Sequence, residues 1–138
     1  MIASYAAAHA ATAVVFFGLD FVWLSTVSTS FYRSRIGSLL LDQPNLGVAG
    51  LFYLVYVAGI VHSAVMQAVN GASWATALVN GALLGLVAYG TYDMTNLAPL
   101  KTWSVSVSVV DMMWGIALTA TAATCGYLLT AWTVAKPG

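Results

Sequence analysis

Along this chain apolar residues come in four long runs, at roughly 3–27, 46–69, 74–92 and 105–132, separated by short polar stretches. A helix crossing a hydrocarbon core needs about 20 apolar residues, so each run is long enough to span a membrane. The polar interruptions read as connections. Residues 28–47 contain FYRSRIGSLLL, whose Phe31, Ile36, Leu39 and Leu40 fit a short interfacial segment between helices 1 and 2. Pro44 and Asn45 mark a turn into the second run, residues 70–73 leave room only for a tight hairpin, and Pro99 ends the third helix. The expected fold is all-α: one transmembrane domain over residues 1–138, an integral membrane four-helix bundle.

Composition strengthens that expectation. Of the 138 residues, 61% are hydrophobic and 6% charged, against about 25% charged in a soluble domain; the mean hydropathy is +0.89. The lipid bilayer is therefore the first expected partner. Four Asp balance four Lys and Arg, and this zero net charge argues against a nucleic-acid partner. Arg33, Arg35 and Lys101 fall on one side of the four spans and Lys136 on the other, which places both termini outside and the larger loops in the cytoplasm. The N-terminal run lacks a preceding base and holds Asp20, features that argue against a cleaved signal peptide.

The polar residues inside the runs carry what chemistry the chain has. With that topology Asp20, Asp93 and Asp111 all fall in the cytoplasmic third of the bilayer, whereas His9 and His62 fall near the outer side. An acid at mid-membrane depth costs roughly 2.5–3.5 kcal/mol on insertion scales, which favours turning Asp20 and Asp111 into the bundle. Helical phase puts Trp23 on the face of Asp20, Trp114 one turn from Asp111, and Tyr92 and Asn96 beside Asp93. Asp20, Trp23, Tyr92, Asp93, Asn96, Asp111 and Trp114 are therefore the candidate ligand-binding residues, forming an acidic and aromatic pocket near the cytoplasmic face.

Such a pocket suits a small ligand, a hard cation, a shared proton or a lipid headgroup. A membrane enzyme acting on lipid and an accessory subunit of a larger complex are the alternatives. Two structural readings compete with any site. Arg33, Arg35 and Lys101 could neutralise the acids in an ion-pair network, and Ser108-x-x-Asp111 resembles a capping box. The two histidines lack a third ligand nearby and read as hydrogen-bonded packing residues. No metal site is assigned and no cofactor is named by the sequence: there is no phosphate-binding loop, no C-x-x-C, no H-E-x-x-H and no lysine within a span. On the third span Gly81 and Gly85 form a GxxxG pair, a seat for a close helix from this chain, a second copy or a larger membrane complex.

DFVWL in the first span, FYRSRIGSL after it, YDMTNLAPLKTW after the third and DMMWG in the fourth together resemble a family of small bacterial membrane proteins catalogued as a domain of unknown function. The resemblance covers nearly the whole chain, with YDMTNLA its most specific stretch. That family has Thr where Pro99 stands, Gly at Thr102 and Pro at Ser104, so the loop geometry is expected to differ here. The resemblance implies a four-span fold in a bacterial inner membrane and implies no reaction.

Overall fold

The computed structural model describes residues 2–135, which are almost entirely helical and contain no strand. Four helices are long and apolar enough to cross a membrane: α1 (Ile2–Leu39), α2 (Leu46–Gly71), α3 (Trp74–Leu97) and α4 (Val105–Ala135). The described residues thus hold four candidate membrane spans. Lys136, one of the residues used to orient it, lies outside the described residues.

The helix ends follow from local chemistry. Asn45 caps α2, its Oδ1 accepting from the Val48 amide at 3.1 Å, and Ser104 caps α4, its Oγ accepting from the Val107 amide at 3.2 Å. The capping-box reading of Ser108 and Asp111 therefore does not describe this helix start. Ser108 is buried inside α4 and accepts from Trp103 Nε1 at 2.9 Å, which leaves Asp111 free for another role. Between α2 and α3 the chain turns through Ala72, whose φ of 53° lies in the left-handed region.

The helix boundaries differ from the apolar runs mainly at α1. The segment expected along the membrane surface continues α1 through a π-helical stretch at Leu24–Tyr32 and one α-helical turn at Arg33–Ile36, then leaves regular helical geometry at Ile36 (φ -128°, ψ 21°) before a 3-10 turn ending at Leu39. Ser25, Thr26, Thr29 and Ser30 each donate to a carbonyl three or four residues back, a habit that bends and loosens helices. A shorter π stretch, Val61–Val65, interrupts α2.

Packing is densest between α3 and α4, then between α1 and α4. Small residues bring these helices together. A Cβ built on Gly85 would lie 2.3 Å from the Gly115 carbonyl oxygen, and one on Gly81 would lie 2.9 Å from Ala120 Cα. The GxxxG stripe thus receives α4 of the same chain, as van der Waals packing in lipid favours. At the end holding both termini the core is closely filled by Ala8, Val57, Ile60, Val61, Val65 and Leu118. At the other end the helices part: α2 leans on α1 through its first half and meets α3 mainly through Val61–Val65 and the turn beyond.

Candidate functional site

The gap left where the helices part is a cavity of about 670 Å³. Asp20, Trp23 and Tyr32 line it from α1, Tyr53 and Tyr56 from α2, Tyr89 and Tyr92 from α3, and Asp111 and Trp114 from α4. Five of the seven residues singled out from the sequence therefore reach it directly. Asp93 sits behind the wall, fully buried, and Asn96 at the end of α3 is half-buried and does not line the cavity.

Indole and phenol groups hold the carboxylates in place. Trp114 Nε1 donates to Asp20 Oδ1 at 3.3 Å, and Tyr53 adjoins the same carboxyl. Tyr32 donates its hydroxyl proton to Asp111 Oδ1 at 2.5 Å, and its oxygen accepts from Trp23 Nε1 at 3.1 Å. The rings of Trp23 and Trp114 stack with centroids 4.3 Å apart and planes 5° from parallel, closing a loop of contacts between α1 and α4. The D-x-x-W spacing explains the exchange: each helix presents an acid and, one turn on, an indole to its neighbour.

Tyr32 is the partner that helical phase conceals. Trp23 and Tyr32 are nine residues apart, which is two and a half turns of an α-helix at about 3.6 residues per turn and places them on opposite faces. In a π-helix, at roughly 4.4 residues per turn, nine residues make about two turns and the side chains realign. The Leu24–Tyr32 stretch therefore brings Tyr32 back over Trp23 and into reach of Asp111. Tyr53 and Tyr56 were also missed by the sequence reading. Their signal was the FYLVY cluster in an otherwise aliphatic span.

Asp93 and Asp111 present an unusual pairing. Both Asp93 oxygens are buried and receive no donor, yet its carboxyl adjoins that of Asp111. Two ionised carboxylates offer only acceptors, so neither supplies the donor the other lacks.

Among the described residues no base is paired with the group. Arg33 donates to the carbonyls of Leu41 and Asp42, while Arg35 donates to Ser106 Oγ at 3.0 Å and lies 3.9 Å from the Phe31 ring centroid. Among the described residues the structure places no ion pair between these arginines and the three acids, so the ion-pair network is not how the acids are held. No three His, Cys, Asp or Glu among the described residues are grouped to hold a metal ion. His9 Nδ1 bonds the Tyr5 carbonyl at 2.8 Å, and both histidines are exposed, away from the cavity.

The family described as "Predicted membrane protein (DUF2177)" matches residues 5–128, which takes in every residue lining the cavity. The chain belongs to this family. No curated protein and no solved structure matches it. Membership in the family accords with the four spans and assigns no activity to the cavity between them.

Proposed function

We propose that the protein binds a small organic cation in this cavity, with Asp20 and Asp111 supplying the negative charge and Trp23, Tyr92 and Trp114 the aromatic faces. Asp93 and Asn96 act from behind the wall and at its edge. The observation that carries the reading is the character of the lining: it includes two carboxylates, several phenols and indoles, and no Lys, Arg or His. Aromatic faces attract cations through the ring quadrupole, more strongly where water is excluded, and the volume lies within the usual range for small-molecule pockets. The same lining disfavours a phosphate or carboxylate ligand, which would meet like charge.

Binding fits better than passage across the membrane. Towards the termini the cavity ends at a layer of rings, in which Phe16 packs edge-on against Tyr53 at 5.7 Å and Tyr56 at 5.6 Å. Beyond it the buried side chains are mostly aliphatic. By the positive-inside rule the cavity belongs to the cytoplasmic half of a bacterial inner membrane, with both termini outside. A second copy or a larger complex would meet a face other than Gly81 and Gly85, which α4 occupies.

The test is a titration of the protein in lipid nanodiscs with tetramethylammonium, followed by tryptophan fluorescence of the Trp23–Trp114 stack. A saturable change is expected, with affinity reduced about tenfold or more in Asp111→Asn, the size of one charge-assisted contact. Equal response to tert-butyl alcohol, a neutral isostere, would reject the reading.

A further inference from the structure

We infer that the cavity opens sideways into the bilayer between α2 and α3, and that its ligand is a membrane-borne amphiphile: a cationic head in the cavity and an alkyl chain lying in the α2–α3 gap. This rests on the cavity being a binding site, and adds the ligand's class and route.

Exposure around the rim supports the direction. Phe52 on α2 is 61% exposed and Tyr92 on α3 54%, although both line the cavity. Thr91 and Thr95, also lining, are exposed on α3. Phe52 lies six residues into α2, and Thr91 six residues before the end of α3. At about 1.5 Å per residue both sit roughly 9 Å inside their helix ends, at hydrocarbon rather than aqueous depth. Deeper along the gap, the Tyr56 and Tyr89 rings meet at 6.3 Å and close it.

The rim is also chemically suited to lipid. Thr91 donates to the Val87 carbonyl at 2.6 Å and Thr95 to the Thr91 carbonyl, so the hydroxyls beside the opening are satisfied within their own helix. They ask nothing of a passing alkyl chain. The loop-side end is obstructed by contrast. Ile36 is buried there, and the Trp103 ring packs edge-on against Tyr92 at 5.6 Å while its Nε1 is held by Ser108. A ligand arriving from water would have to displace these rings, and one arriving from the membrane would not. Charge then selects the head: carboxylates at the cavity wall and no base among the lining residues favour an amine or quaternary ammonium over a phosphate-bearing lipid.

Photo-crosslinking in nanodiscs tests this. The probe is a long-chain alkyltrimethylammonium carrying a diazirine near the end of its chain, and the control is the same chain without the ammonium. The expected result is labelling concentrated on the peptides holding Phe52 and Thr91, suppressed by excess tetramethylammonium. Asp111→Asn and Asp20→Asn should each lower it about tenfold. If tetramethylammonium binds saturably but the probe labels the lipid-facing surfaces as evenly as the control does, the sideways opening is wrong and the cavity reading survives. If neither molecule binds, the cavity reading falls and this inference with it.

Discussion

The two ends of the bundle solve the problem of helix association in opposite ways. Towards the termini, Gly81, Gly126, Ala120 and Ala123 let backbones approach until a single added methyl would collide. Towards the loops, the spaces are occupied by rings, and contacts between α1 and α4 run through hydrogen bonds and a stacked indole pair. In lipid, helices gain little from hiding apolar surface, so close packing and interhelical hydrogen bonds must hold them. The packed end relies chiefly on the first, with Asn80 Nδ2 also donating to the Ser63 carbonyl at 3.0 Å, and the other end on the second. The comparison teaches how space is kept open at the loop end: bulky, polar-tipped side chains hold the helices apart and still tie them together.

The strongest way to break the packed arrangement is Gly85→Leu. Its Cβ would lie 2.3 Å from the Gly115 carbonyl oxygen, a backbone atom that cannot step aside. We expect a loss of roughly 3 kcal/mol, or failure to assemble, seen as a fall in the melting temperature in detergent. Val87→Leu, on an exposed face of the same helix, should melt as the parent protein does.

At the open end the sharpest change is Tyr32→Phe. It removes the proton donated to Asp111 and leaves Trp23 Nε1 without its acceptor. A hydrogen bond to a charged group contributes about 1.5–3 kcal/mol, so the variant should lose stability within that range. The stacked pair should also change its near-ultraviolet circular dichroism. An unchanged spectrum would show that Tyr32 does not hold the stack.

The smallest effect is expected deep in the packed end, and with the opposite sign. Thr12 is fully buried beside Gly126, and its hydroxyl has no hydrogen-bond partner. Thr12→Val keeps the shape and removes the unsatisfied group, so stability should rise by about 1 kcal/mol. A fall on chemical denaturation would mean that the hydroxyl is satisfied after all and that this end is less dry than its neighbours imply.

Much of this contrast was legible in the residues, for reasons that differ by region. Gly81, Gly85, Asp20 and Trp23 lie within regular α-helical stretches, where a phase of about 100° per residue assigns a face correctly. The D-x-x-W spacing placed Trp114 one turn from Asp111, while its bond to Asp20 appears only once the helices are packed. Tyr32 could not, since nothing in LSTVSTSFY announces a change of winding beyond a run of hydroxyl residues. Tyr53 and Tyr56 were hidden by the uniform hydrophobicity of α2, which gives no moment to orient it. Asp93 and Asp111 adjoin in the structure, but whether Asp93 lines the cavity or backs it depends on how α3 is rotated against α4. Arg33 and Arg35 misled because charge alone cannot tell a carboxylate partner from a backbone carbonyl, and the carbonyls of residues 31, 41 and 42 were nearer.

The π-helical stretch of α1 makes the head of that helix, from Arg33 to Leu39, the end of a screw with two threads. A residue inserted or removed within Leu24–Tyr32 would not lengthen or shorten a loop. It would turn the whole head about the helix axis, by roughly a quarter of a turn per residue, carrying Tyr32 off Asp111, Ile36 out of the cavity wall and Arg35 away from Ser106 together. In that sense the length of this stretch is a setting of angle, and three contacts in different parts of the molecule are adjusted by one count of residues.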